Sequence, residues 1–304
     1  MGTYKPKIIL GFVIISIIWG STWLAIKIGL ESVPPFYAVA IRFTVAAFVL
    51  GIVTLIRKEK LPFHQKAIKL YVALAVLSFS FPFALVYWGE QYIPSGLASI
   101  LFAAYPFVVA TGSHFFLPNE PLNPYKIVGI VLGFLGVLVI FWADIQIGEA
   151  KEWGMIAILL STLMQGTSLI VVKRLHTNIS ATSMTLGGML FGIVIMYLVA
   201  FAFEDFSSVH FDGKGIGTIL YLGTLGSVVT FVVYYWLLKH VEAVYLSLVS
   251  LVTPVLAVVL GTLWFQESLS PRVFTGAGLV LLGIVIANAR ELNRSIRTRR
   301  QMIE

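Results

Sequence analysis

Residues 87–120 read YWGEQYIPSGLASILFAAYPFVVATGSHFFLPNE, and residues 235–267 read YWLLKHVEAVYLSLVSLVTPVLAVVLGTLWFQE. Both stretches open on Tyr-Trp at the end of an apolar run, set a proline inside the next run, and close on a glutamate. Tyr87 and Tyr235 are 148 residues apart, Pro106 and Pro254 also 148, and Glu120 and Glu267 147. Further on, Gly129 and Gly136 return as Gly276 and Gly283, each 147 residues later. Towards the N-terminus, Trp19-Gly20-Ser21-Thr22 has a looser echo in Gln165-Gly166-Thr167-Ser168, at an offset of 146. Marks that recur in one order at one spacing point to a chain built from two copies of a single unit.

Composition says where that unit resides. Of 304 residues, 59% are hydrophobic and 12% charged, against roughly 25% charged in a soluble domain. A helix needs about 20 apolar residues to cross a bilayer. Runs of that kind occur at 8–28, 34–56, 69–89, 95–117, 124–142, 154–172, 182–203, 214–237, 243–265 and 272–289. The expected fold is an all-α integral membrane protein of ten transmembrane helices. Residues 1–148 would form the first five-helix repeat, 149–290 the second, and 291–304 a basic tail. The first run lacks a small-residue cleavage site and reads as an uncleaved helix. There is no cysteine, and His64, His114, His176, His210 and His240 have no ligand spacing, so no metal or cofactor is expected.

The net charge of +7 raises the possibility of nucleic acid, and its placement argues against it. With the N-terminus in the cytoplasm, sixteen basic residues fall in inner segments and four, Lys27, Lys151, Lys214 and Arg272, in outer ones. Arg42 lies within a span. That bias sets both termini in the cytoplasm, makes the lipid bilayer the expected partner, and reads the Arg297–Arg300 cluster as a topology anchor that meets anionic lipid. Five spans per half would also insert the second half upside down. Such inverted repeats place a site near the midplane and exchange conformations to give alternating access. No paired carboxylates, His-Glu metal motif or Ser-His arrangement occurs at membrane depth, so an enzyme is not expected.

Trp19-Gly20-Ser21-Thr22-Trp23, Ile41-Arg42-Phe43, Tyr92-Ile93-Pro94 leading to Ala98-Ser99-Ile100-Leu101, Tyr105-Pro106, and Asn119-Glu120-Pro121-Leu122 before Gly129 carry a resemblance. Leu248-Val249-Ser250-Leu251-Val252-Thr253-Pro254, then Gln266-Glu267-Ser268-Leu269 and Gly276, give its second-half version. Across essentially the whole chain the pattern resembles the EamA family of the drug/metabolite transporter superfamily. The resemblance implies a bacterial or archaeal inner-membrane carrier without ATP hydrolysis, often an exporter of amino acids or other small metabolites. A nucleotide-sugar or lipid-precursor carrier is the alternative from the same superfamily.

The candidate site follows from depth. Pro106 and Pro254 each lie about 12 residues into a span, near the bilayer centre at 1.5 Å per residue. Each removes a backbone donor, and the expectation is a pair of hinges whose helices line a cavity with Ser99, Phe102, Tyr105, Ser247, Ser250 and Thr253. A packing kink is the alternative. Trp19, Ser21 and Thr22 in span one and Gln165, Thr167 and Ser168 in span six are mid-depth polar or amphipathic groups, although hydroxyls commonly bond their own helix. Phe79, Ser80 and Tyr87 in span three and Tyr234 in span eight extend the candidate lining, with an interfacial aromatic belt as the rival reading of Tyr87 and Tyr235. Pro82 has no proline partner in span eight, so only span three is expected to bend. Arg42 has two readings: an anchor for a substrate carboxylate, or a structural cation that pairs with Glu31 or Glu90 or caps helix carbonyls. No deeply buried acid stands out as a proton site. The glycines of spans five and ten would pack the halves together or form a homodimer face.

Overall fold

The computed structural model describes residues 5–120, 122–141, 149–175, 178–256, 271–272, 275–276, 278–287 and 289. Glu267, its neighbours Gln266 and Ser268, and the basic tail lie outside the described residues, which contain helices and no strand. The helices are α1 (Lys5–Gly29), α2 (Pro35–Ile56), α3 (Gln65–Tyr92), α4 (Ser95–Phe116) and α5 (Pro124–Phe141). They continue as α6 (Glu149–Leu175), α7 (Ala181–Phe203), α8 (Gly213–Leu238), α9 (Ala243–Leu256) and α10 (Gly278–Ala287). Seven of these, α1–α4 and α6–α8, are long and apolar enough to cross a membrane. Their outward side chains suit lipid: Leu55 is 78% exposed and Phe203 77%, and many such residues together would be a liability in water.

The packing is reciprocal. α3 lies against α6 and α7, α8 lies against α1 and α2, and α4 meets α9. At the α5–α10 crossing, a Cβ added to Gly129 would stand 2.4 Å from the Gly283 carbonyl oxygen, and one on Gly136 would stand 2.5 Å from that of Gly276. Only glycine allows this approach, which runs the two helices antiparallel and uses these glycines inside the chain rather than at a dimer face.

α3 and α8 each contain a widened, π-helical stretch, Ala75–Phe79 and Thr224–Val229. Such turns shift the i→i−4 ladder and leave carbonyls in need of other donors. In α3 the stretch ends at Ser80, and Pro82, which has no N–H, sits in the first turn of the α-helix that follows. The widening is thus common to both helices, with or without a proline. α8 widens without proline because Ser227 Oγ donates to the Leu222 carbonyl five residues earlier, 2.8 Å away.

α4 breaks at Ala103–Ala104 between its segments Ser95–Phe102 and Tyr105–Phe116, with Pro106 in the first turn of the second. α9 interrupts at Leu248, after the segment Ala243–Ser247. Pro254 leaves the Ser250 carbonyl without its helical donor, and Thr253 Oγ1 supplies one at 3.3 Å.

Helix ends meet in matched fashion. Lys27 of α1 donates to the Glu90 and Ile93 carbonyls at the end of α3, and Lys173 of α6 donates to the Leu238 and Val241 carbonyls at the end of α8. An ammonium there satisfies orphan carbonyls and opposes the helix dipole. Lys173 also pairs with Glu120 at 3.1 Å, whose other oxygen accepts from Ala243 N–H at the start of α9. Glu204 accepts from the Phe36 and Tyr37 N–H groups at the start of α2. Burial holds its carboxyl above the usual range even though those two N–H groups pull it down.

Candidate functional site

α1, α2, α3, α4, α6, α8 and α9 line a cavity of about 80 Å³. α1 contributes Trp19, Thr22, Trp23 and Ile26, and α2 contributes Arg42. Ser78, Phe83 and Val86 come from α3, Phe102 and Tyr105 from α4, and Gln165 and Leu169 from α6. Phe231, Tyr234 and Tyr235 of α8 and Ser247, Ser250 and Thr253 of α9 complete most of the wall.

One wall is aromatic. Trp19 meets Phe231 edge-on at 5.6 Å and Tyr234 at 5.2 Å, Trp23 meets Phe102 at 5.6 Å, and Phe102 stacks on Tyr105 at 5.5 Å. The Tyr105 and Tyr234 hydroxyls join the wall at 2.7 Å across α4 and α8. These are the offset and edge-to-face geometries that aromatic quadrupoles favour.

Arg42 faces the space from elsewhere in the lining. It is 1% exposed, and its Nε donates to Ser227 Oγ at 2.9 Å, Nη1 to Tyr87 Oη at 3.2 Å, and Nη2 to the Gly226 carbonyl at 3.1 Å. Its guanidinium carbon lies 4.7 Å from the centre of the Phe83 ring, a cation–π contact. Ser227 and Gly226 belong to the π-helical stretch of α8, so the widened turn presents the acceptors that hold the cation. The ion pairs considered from sequence do not form: Glu31 pairs with Lys214, and the carboxyl oxygens of Glu90 have no hydrogen-bond partner among the described residues, whereas the contact with the Gly226 carbonyl is of the helix-capping kind. Among the described residues Arg42 has no ion-pair partner. Guanidinium is always charged, so the cavity edge carries a permanent positive charge held only by neutral groups and π faces.

The cavity thus brings together Trp19, Thr22, Arg42, Phe102, Tyr105, Gln165, Tyr234, Ser247, Ser250 and Thr253 from the sequence candidates. Ser21, Phe79, Ser80, Tyr87, Ser99, Thr167 and Ser168 lie outside its lining. Ser21 Oγ donates to the Ile18 carbonyl and meets Tyr221 Oη, and Ser80 Oγ donates to the Gly192 carbonyl. Ser99 Oγ returns to its own helix at the Gly96 carbonyl, and Ser168 pairs with Ser78 at 2.6 Å. Phe79 packs among Phe43 and Phe231, and Tyr87 stands behind Arg42. Trp23, which shares a helical face with Trp19, and the aromatic residues Phe83, Phe231 and Tyr235 of spans three and eight also line it, as that face and those aromatic runs suggest, whereas Ser78 is a lining residue that sequence reasoning did not reach. Glu90, considered above as a partner for Arg42, is instead a fully buried acid.

The EamA-like transporter family profile matches residues 6–142 and again residues 152–289. The transporter YoaV of Bacillus subtilis (strain 168) is 30% identical over 279 residues, covering 91% of this chain and 95% of its own. Protein PagO of Salmonella typhimurium is 29% identical over 283 residues, covering 93% and 91%. A transporter of Archaeoglobus fulgidus is 29% identical over 268 residues, covering 88% and 94%. A solved crystal structure superposes with a TM-score of 0.80 at 20% identity, over 95% of this chain and 99% of the other, which shows a shared fold.

Proposed function

Because the chain belongs to the EamA-like transporter family, we propose that this multi-pass membrane transporter exports a small carboxylate-bearing metabolite, with amino acids the leading class, by alternating access. The observation that carries the reading is Arg42, a buried cation at the cavity edge without an anionic partner among the described residues. A carboxylate is the complementary group, because a planar guanidinium can bind it bidentately. The aromatic wall suits the solute's apolar body. Export itself rests on the family resemblance.

At about 80 Å³ the cavity is below the roughly 300–1,000 Å³ of an organic-ligand pocket, which fits a contracted state that widens when α4 or α9 moves about its break. The crossed contacts of Gly129 with Gly283 and Gly136 with Gly276 favour an inverted two-fold relation, since repeat mates exchange partners across such an axis. On that basis residues 1–148 and 149–290 act as the two repeats, and the bias of basic residues along the chain supports both termini in the cytoplasm. A nucleotide-sugar or lipid-precursor carrier would need more than one cation in the cavity lining, where Arg42 stands alone among the described residues.

Counterflow in proteoliposomes, with labelled L-amino acids tested one at a time against the matching unlabelled solute inside, tests this reading. Transient accumulation of at least one is expected. Catalytic turnover without movement of any small organic solute would overturn it.

A further inference from the structure

Glu90 sits near the end of α3 and is 0% exposed. Neither carboxyl oxygen has a hydrogen-bond partner among the described residues. Other acids in this fold are held: Glu120 by Lys173 and the Ala243 N–H, Glu204 by the Phe36 and Tyr37 N–H groups, Glu31 by Lys214. The charged neighbour of Glu90 is Lys27 on α1, whose Nζ donates to the main-chain carbonyls of Glu90 and Ile93. From α2, Arg42 touches this part of α3 through the hydroxyl of Tyr87, three residues before Glu90. α6 meets the same turn at Gly89 with Gly154 and Ile158, which do not titrate.

A carboxylate stripped of water and donors is strongly disfavoured, whereas a neutral carboxyl is tolerated. Location adds a use. Val86, one turn before Glu90, lines the cavity, so the acid stands between the solute space and the helix end that Lys27 fastens.

We propose that Glu90 is a proton-binding site that couples solute movement to a proton gradient, a step that rests on the transporter reading. When the Lys27 end opens, the carboxylate meets water and binds a proton. The resulting acid is compatible with the closed packing, and that end shuts. When the opposite end opens, the proton passes to water in the cavity one turn away, leaving an anion that favours reopening at the Lys27 end. One proton enters for each solute that leaves, with no covalent bond made or broken elsewhere.

The test uses proteoliposomes loaded with labelled L-amino acids, with and without an acid exterior. The wild type is expected to release solute several-fold faster into acid, and Glu90→Gln to keep counterflow while losing that acceleration. Wild-type counterflow with no response to the gradient, or an undiminished response in Glu90→Gln, overturns the coupling. Infrared difference spectroscopy on the reconstituted full chain gives a readout independent of solute. A carboxylic-acid C=O stretch that vanishes as pH rises and is missing in Glu90→Gln sustains the proton site; no such band overturns it. This arm decides if Glu90→Gln loses counterflow altogether. Should the wild type move no amino acid, the transport reading fails while the infrared result still decides on the proton site.

Discussion

Arg42 Nε and Ser227 Oγ are 2.9 Å apart, joining the middle of α2 to the widened turn of α8. The same serine donates to the Leu222 carbonyl, so one hydroxyl both repairs the π-helical turn and orients the guanidinium. A charge-assisted hydrogen bond contributes about 1.5–3 kcal/mol, and each 1.4 kcal/mol is about tenfold in affinity. Arg42→Lys is therefore expected to lower counterflow at a fixed solute concentration by about ten- to a hundredfold. Ser227→Ala should raise KM with a smaller effect on the maximal rate, because Tyr87 and the Gly226 carbonyl still hold the cation. Concentration series for the two variants separate these outcomes.

Pro106 and Pro254 give a second prediction. With both replaced by alanine, α4 regains a donor near its break at Ala103–Ala104, and the Ser250 carbonyl regains its helical partner. The double variant should insert normally and transport several-fold more slowly. An unmodified rate in proteoliposomes would remove the hinge role.

The α5–α10 crossing predicts a contrast between glycines. Gly136→Ala places a Cβ against the Gly276 carbonyl, whereas among the described residues nothing stands within 4 Å of a Cβ on Gly278. Overpacking of this kind costs about 1–3 kcal/mol. Melting in detergent should show a lowered Tm for Gly136→Ala and an unchanged or slightly raised one for Gly278→Ala, since alanine is the better helix former.

Asp212 sets a pH dependence. Its carboxylate accepts from the Gly215 N–H at 2.7 Å and from Ser32 Oγ at 2.9 Å, and these bonds, Gly215 first, hold it below the usual carboxylate range. A carboxyl with a depressed folded value binds fewer protons in the native than in the unfolded state. Its stabilisation is complete above the unfolded value, near 3.9, and is lost as pH falls through the lower folded one. The Tm advantage of wild type over Asp212→Ala should thus be full at neutral pH and shrink in acid. Asp212→Asn, which still caps a helix, should retain a Tm advantage over alanine with little pH dependence.

How much of this was legible depends on the physics of each residue. The apolar runs and the position of Arg42 could be read because lipid requires long uncharged helices and makes a charge at depth conspicuous. The hydroxyls could not be assigned. Ser21, Ser80, Ser99 and Ser168 sit at suitable depths, but rotamer and a nearby carbonyl or hydroxyl decide where each points. Phe83 and Phe231 could be read as aromatic but not given a direction, because a helix apolar on every side has no polar face to mark its inner one. The widened turn of α8 carries no proline, so nothing local announced it. Glu90 stands two residues before the end of its segment at Tyr92, a position that does not itself mark burial, and α1 and α6 pack against that turn.

The antiparallel glycine contact between α5 and α10 also has a consequence for synthesis. At about 5–20 residues per second, Gly276 leaves the ribosome roughly 7–30 s after Gly129, which it follows by 147 residues. Throughout that interval the narrow face of α5 is without its mate. α10, made later, is the helix that fills it, so a chain cut short before α10 would carry an open groove along α5.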